Sequence, residues 1–186
     1  MRSMSMVLGA VLLVAFVTGC GPGLKAPQLA DGGKIQVLAL VDRGLTDTTA
    51  EDQAKSVNQV TDWMEADLSK MFTKNGYDFQ KIATADEYAD AANRFLLKIK
   101  VLSYNPGNKG ARVAGALVGG WSGAAVAQAA EARLAASYEL SNADGALVTG
   151  NMNEGSGTGD WNVAVRKVNS LIIKGVAKKI QGLYAK

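Results

Sequence analysis

The chain of 186 residues contains no histidine, a single cysteine and only three prolines. Without histidine, Ser-His-Asp and Cys-His catalytic pairs are excluded, and imidazole is removed as a metal ligand. One cysteine excludes a disulfide within the chain and a cysteine-rich zinc or iron–sulfur site. We expect no metal and no cofactor. Carboxylate, hydroxyl and lysine chemistry remain open, but no Ser-x-x-Lys motif occurs in the chain, and we favour a protein that is not an enzyme.

The chain also lacks a strong excess of charge of either sign. Its formal net charge is +3, with 20 basic and 17 acidic residues, and 48% of its residues are hydrophobic. A nucleic-acid-binding domain would show basic residues clustered in a stripe or patch, and the sequence has no such cluster. We expect no nucleic-acid partner.

The N-terminal residues have the pattern of a secretory signal. Arg2 supplies a positive charge, and the twelve residues of the range Met6–Val17 are apolar or small. A helix that spans a bilayer needs roughly 20 residues, so this run fits a signal h-region better than a membrane span. The run ends in Val17-Thr18-Gly19-Cys20, which resembles the lipobox of bacterial lipoproteins.

This resemblance implies a lipid anchor at the only cysteine. Residues 1–19 would be removed as a signal peptide, and Cys20 would carry a diacylglyceryl group on its sulfur and an acyl chain, such as palmitate, on its new amino group. Several acyl chains on one residue make a stable anchor. Gly21 after the cysteine, in place of aspartate, implies the outer membrane, with the protein on its periplasmic face.

Two of the three prolines and several glycines follow the cysteine in residues 20–33. This composition predicts a flexible tether between the lipid and a single domain of residues 34–186.

Periodicity within residues 34–186 predicts an α+β fold in a single domain. Alternating or short apolar runs indicate four to five strands in a mostly antiparallel sheet, and apolar residues at helical spacing indicate two long helices on one face of it. A further short helix is expected to follow Thr84 and Glu87, which have capping-box spacing. The elements are predicted at residues 34–41 (strand), 49–74 (helix), 77–82 (strand), 84–92 (short helix), 94–104 (strand), 131–140 and 146–152 (a hairpin), and 160–184 (helix).

A Gly/Ala-rich segment lies between two predicted strands. Its residues 113–130 carry no charge, and Gly115, Gly119, Gly123 and Ala127 are spaced four apart. Such small residues align on one face of a helix and let another backbone approach closely. The segment is either a glycine zipper that inserts into the membrane or oligomerises there, or a closely packed part of the domain. The position between two strands favours the second interpretation.

The residues that lead into this segment resemble a family of uncharacterised bacterial lipoprotein domains. The motif is Pro106-Gly107-Asn108 after a strand, then Arg112 and the glycine series, and the resemblance covers about residues 35 to 155. It implies fold and location and no catalytic residues. The chain departs from the family pattern in its alanine-rich stretch after Gly123.

The same turn could bind an anion. Backbone amides near Gly107 and the cation of Arg112 could serve this purpose, and the Gly-rich residues 155–159 lie before a predicted helix. Neither segment has the spacing of a P-loop or of a dinucleotide-binding motif. The alternative, which we favour, is that these glycines serve turns.

Three functions follow as hypotheses. The first is a lipid-anchored envelope protein that binds a protein or glycan partner, without chemistry. The second is a membrane-inserting or pore-associated homo-oligomer that works through the glycine zipper. The third is a small cell-wall hydrolase that uses carboxylates such as Asp62 and Glu65, which share a face of the first helix.

Overall fold

The computed structural model describes residues 23–42, 51–107, 131–157 and 159–185, with the side chains of the first helix from residue 58 onward. The predicted α+β single domain is confirmed, and both long helices lie close to their predicted positions. The elements in chain order are β1 (Gln36–Asp42), α1 (Glu51–Lys74), β2 (Asp78–Lys81), a 3₁₀ turn (Ala85–Glu87), β3 (Arg94–Asn105), β4 (Arg133–Asn142), β5 (Gly145–Gly155) and α2 (Trp161–Tyr184).

The five strands form one mixed sheet in the order β2-β1-β3-β4-β5. β1 pairs in parallel with β2 and β3, whereas β3–β4 and β4–β5 are antiparallel. The sequence predicted a mostly antiparallel sheet, and half of the strand pairs are parallel. The reason is α1, a crossover helix that returns the chain to the start of the sheet, so that β2 runs in the same direction as β1.

The short helix predicted for residues 84–92 is a single 3₁₀ turn. The capping box is present, because the Glu87 carboxylate accepts hydrogen bonds from the amides of Ala83 at 2.8 Å and Thr84 at 2.9 Å. These bonds lower the pKa of Glu87. None of the residues of the turn is buried. A short helix without an apolar face against the core is not stabilised beyond its first turn.

Both long helices pack on one face of the sheet, as predicted. Val60, Met64, Leu68 and Phe72 are spaced four apart on α1, and each is at most 1% exposed. This spacing places all four on a single stripe of the helix. The stripe packs with the buried residues of α2 against the inward side chains of the sheet, and together they form the main core.

The helices run in the same direction. Trp63 of α1 contacts Trp161 of α2, and further along both helices Asp67 contacts Asn169. Both helices therefore begin at the end of the sheet where β1, β2, β3 and β5 end, which we call the upper end of the domain. No helix in the described ranges is long and apolar enough to cross a membrane.

Residues 23–33, predicted as part of a tether, lie against the domain. Leu24, Ala26 and Leu29 pack on the main core, and the Ala26 amide donates a hydrogen bond to the Asn75 carbonyl at 2.8 Å. The Gln181 amide of α2 donates to the Lys25 carbonyl at 2.8 Å. The packed chain thus begins before Lys34, because three apolar side chains among the glycines and prolines find space beside the end of α1.

Candidate binding site

A crevice opens at the upper end of the domain, where β2 is shorter than its neighbour. β2 ends at Lys81, opposite Ala39, and β1 continues to Asp42. The crevice has a volume of about 870 Å³ and reaches from the outer face of the sheet to the side of α1. Pockets of several hundred Å³ with an apolar surface and a few polar groups are the usual form of ligand sites.

The crevice lies at the carboxyl ends of the parallel strands β1 and β2. On its other side it lies beside the middle of β3, which continues to Asn105. Residues 43–50 and 108–130, which follow β1 and β3, lie outside the described residues.

Two rows of paired residues cross the outer face of the sheet at the crevice. In the first row, Leu40 of β1 lies opposite Lys98 of β3, which lies opposite Glu139 of β4. In the second row, Asp42 and Ser137 lie on the two sides of Lys100. Cross-strand neighbours of opposite charge attract each other. The rows therefore give the outer wall alternating positive and negative charge.

An ion pair forms the wall on the α1 side. The Lys81 ammonium contacts the carboxylate of Glu65, whose residue is 8% exposed. A carboxylate in such a place needs a cation because burial alone would disfavour its charge. Asp62, the other carboxylate suggested for a hydrolase, is exposed.

The floor of the crevice is apolar. Leu40 and Ile82 line it. Both belong to a small second core on the outer face, which also contains Leu38 and Leu96 and against which Tyr88 packs. Burial raises the pKa of Tyr88. An apolar floor with a charged rim suits a ligand that has both apolar and polar groups.

The crevice also brings a serine beside a lysine, since Ser137 and Lys100 are cross-strand partners. A lysine acts as a general base when burial removes water from its amine. Lys100 is exposed, so burial does not remove water from its amine. In the part of the chain that the structure describes, no group of three or more acidic or cysteine side chains could hold a metal ion.

Of the predicted turn after β3, two residues are described. Pro106 is exposed, and Gly107 has φ 71° and donates its amide hydrogen to the Asn105 side chain at 2.9 Å. A positive φ favours glycine, so the backbone conformation explains this residue. The remaining predicted site residues lie outside the described residues, namely Cys20, Gly21, Asn108, Arg112, Gly115, Gly119, Gly123 and Ala127.

The glycine-rich turn before α2 is closed by the chain's own side chains. Glu131 accepts a hydrogen bond from the Gly157 amide at 2.8 Å, and the Ser156 hydroxyl accepts one from the Gly159 amide at 2.8 Å. Arg133 contacts the second Glu131 oxygen at 3.0 Å. These amides are engaged internally, which favours a structural turn over an anion site.

The crevice was not recognised from the sequence. Lys98 and Lys100 were visible as the polar face of a strand, but their opposition to Glu139 and Asp42 depends on which strands are neighbours. Parallel pairing through α1 and the early end of β2 create the site, and neither is encoded in the periodicity of one segment.

A scan of protein-family models finds no match, and a search of curated proteins finds none. Solved structures do resemble the chain. A Xanthomonas campestris protein of family DUF330 is 10% identical, with a TM-score of 0.50 over 89% of this chain and 94% of that chain. A dodecameric PelC variant from Paraburkholderia phytofirmans is 16% identical, with a TM-score of 0.41 over 84% and 94%. A Helicobacter pylori homologue of neuraminyllactose-binding hemagglutinin is 12% identical, with a TM-score of 0.41 over 88% and 94%. At this identity, the likeness to the Xanthomonas protein is one of fold alone.

Proposed function

We propose that this chain is a lipid-anchored protein of the bacterial cell envelope whose domain binds a partner in the crevice and catalyses no reaction. The lipobox residues Val17 to Cys20 support the anchor, and Gly21 supports the periplasmic face of the outer membrane. The partner is an envelope protein, a second copy of the chain or a glycan.

The single observation that carries the binding role is the crevice at the ends of β1 and β2. It combines apolar groups at Leu40 and Ile82 with charged groups from α1 and four strands. Opposite charges around a concave surface orient a partner and select it against others. The exposed Lys100 beside Ser137 offers no desolvated base, which supports the absence of catalysis.

The anchor is tested by fractionation of envelopes that contain the Cys20→Ala variant. We expect wild-type protein in the outer-membrane fraction and the variant in the soluble periplasmic fraction, because the variant has no thiol for lipid attachment. The Gly21→Asp variant should be found in the inner-membrane fraction. A Cys20→Ala protein that still fractionates with the outer membrane would overturn the anchor.

The crevice is tested by site-specific photo-cross-linking in intact cells. A photoreactive residue in place of Leu40, at the crevice, should give one reproducible adduct, identified by mass spectrometry. The matched control places the same residue at Lys178, which is exposed on α2. Equal adducts at both positions, or none at Leu40, would contradict a partner in the crevice.

Neither alternative function gains support within the described ranges. The glycine series of the zipper hypothesis lies outside them. For the hydrolase hypothesis, the ion pair of Glu65 with Lys81 does not suit the role of the general acid, and Asp62 is exposed.

A further inference from the structure

A second, shallower depression lies on the helix layer, next to the wall of the crevice that Glu65 forms. It is a groove of about 780 Å³ between the middle of α1 and the start of α2. Trp63 of α1 and Trp161 of α2 line it, together with four polar residues, Asn58, Gln59, Asp62 and Asn162. We call this surface the tryptophan groove.

Both tryptophans remain partly exposed although a large apolar core lies beside them. Their rings meet edge to face, with centroids 5.8 Å apart and planes at 78°. The guanidinium carbon of Arg166 lies 5.6 Å from the centre of the Trp63 ring. Ring–ring and cation–π contacts of this kind fix the orientation of the aromatic groups. The two rings therefore meet at a fixed angle in the groove, without a ligand.

The polar residues of the groove are three amides and one carboxylate. Amide side chains both donate and accept hydrogen bonds, and a carboxylate accepts them. The side-chain oxygen of Asn162 is shielded from water, and it accepts no hydrogen bond from any described residue. Because this oxygen is closed to solvent, the amide groups that a ligand can reach in the groove are those of Asn58 and Gln59.

We infer that the tryptophan groove is a binding site for a glycan of neutral hexopyranose units. The C–H face of a pyranose ring stacks on an aromatic ring, and its hydroxyl groups need donors and acceptors together, as amides supply them. This site adjoins the crevice of the proposed function on α1, but the two share no lining residue.

The inference is tested by isothermal titration calorimetry on the full chain. The protein is kept in a detergent without a sugar headgroup, since such a headgroup would compete for the groove. The probes are chitohexaose, cellohexaose and maltohexaose. We expect saturable binding of at least one probe, and binding of none of them would overturn the inference.

Variants then locate the site. Trp161→Ala should weaken binding at least about tenfold, because tryptophan truncation at a binding surface is among the most costly. Asn58→Ala removes an exposed amide without disturbing the core, and it should weaken binding about threefold, the effect of one modest hydrogen bond. Leu183→Ala, at an exposed apolar residue near the end of α2, is the matched control and should leave affinity unchanged.

Thermal unfolding measured by circular dichroism shows whether Trp161→Ala is folded. If Trp161→Ala is unfolded, the test relies on the affinity of Asn58→Ala. Wild-type affinity in Asn58→Ala would overturn the inference. A photoreactive residue at Gln59 that captures a protein in cells would also overturn it, since the groove would then be a protein interface. The adduct at Leu40 in the crevice should persist in the Asn58→Ala protein. A failure of the glycan inference can therefore be distinguished from a failure of the proposed function.

Discussion

The side chain of Tyr138 on β4 extends into the helix layer, and its hydroxyl lies directly against Gly175 of α2. A Cβ atom built at Gly175 would overlap this hydroxyl, and one built at Gly150 of β5 would overlap the ring. The ring is 7% exposed, and burial raises the pKa of its hydroxyl. Two glycines on two different elements thus make the space that lets α2 approach the sheet.

Gly175→Ala should destabilise the domain although alanine is the better helix former. The helix gains about 1 kcal/mol from the exchange, but overpacking of a confined aromatic residue costs roughly 1–3 kcal/mol. Tyr138 cannot move aside readily because Gly150 lies on the other side of its ring. Urea unfolding should show a net loss of about 1 kcal/mol.

The matched control is Gly182→Ala on the same helix, where nothing lies within 4 Å of an added Cβ. This variant should be unchanged or more stable by about 0.5–1 kcal/mol. Tyr138→Phe should restore much of the loss in Gly175→Ala because it removes the overlapping oxygen. If Gly175→Ala is as stable as Gly182→Ala, the close approach is not a constraint.

A buried amide connects the two helices. Asn169 of α2 is fully buried, and its Nδ2 donates hydrogen bonds to the Asp67 carboxylate at 2.9 Å and to the Met64 carbonyl at 3.1 Å. Asn169→Asp should destabilise the domain by about 2–4 kcal/mol near pH 7, because it places a second carboxylate in a buried site.

The loss in Asn169→Asp should depend on pH. Burial beside Asp67 raises the pKa of the new carboxyl in the folded state above its unfolded value of about 3.9. The penalty is therefore small below about pH 4 and grows as pH rises through the folded pKa. Urea unfolding between pH 4 and pH 8 measures it, with Asn58→Asp at an exposed position of α1 as control. A penalty that is equal across this range would contradict the prediction.

How much of this could be predicted from the sequence differs between the helices and the sheet. Four apolar residues spaced four apart, from Val60 to Phe72, identify α1 and its buried face without further information. Asn169 falls within the apolar stripe of α2, and only the structure shows its partner on α1. Contacts such as this one join residues about a hundred positions apart, and no local pattern indicates them.

The sequence did not predict the direction and order of the strands correctly. Alternation in β3 indicates which side chains point inward but does not show that β1 lies beside it in parallel. The charged rim of the crevice needs this order, since it brings Asp42 opposite Lys100. The tryptophan groove was missed for the same reason, because Trp63 and Trp161 meet only when the helices run in the same direction.

The ion pair in the crevice should contribute to stability. Lys81→Met leaves Glu65 without its ammonium partner and should cost roughly 1–3 kcal/mol, less than for a fully buried pair because Lys81 is half exposed. The double variant Glu65→Gln with Lys81→Met should recover part of the loss. Urea unfolding of both variants, with Lys178→Met as an exposed control, tests this. A loss no larger than that of the control would show that the pair is as weak as an ordinary surface pair.

Stability at alkaline pH should depend on Tyr77, which lies between α1 and β2. The residue is 2% exposed, its ring packs edge to face on Phe72 at 5.4 Å, and its hydroxyl has no hydrogen-bond partner among the described residues. Burial raises the pKa of Tyr77 from 10.0 to about 12. The folded state therefore holds the phenolic proton more tightly than the unfolded state. Below about pH 10, where the phenol is protonated in both states, the free energy of unfolding is not reduced by this group. As pH rises from about 10 to 12, the free energy of unfolding falls by up to about 2 kcal/mol.

Tyr77→Phe should be neutral or slightly stabilising at pH 7, because it removes a buried hydroxyl without a described partner and keeps the ring. It should also remove this part of the alkaline loss. Deprotonation of lysines above about pH 10 lowers the free energy of unfolding of both proteins equally. The difference in free energy of unfolding between variant and wild type therefore reports the contribution of the Tyr77 phenol alone. We expect this difference to grow in favour of Tyr77→Phe from pH 9 to pH 12. A constant difference across that range would mean that the Tyr77 hydroxyl reaches water in the folded state.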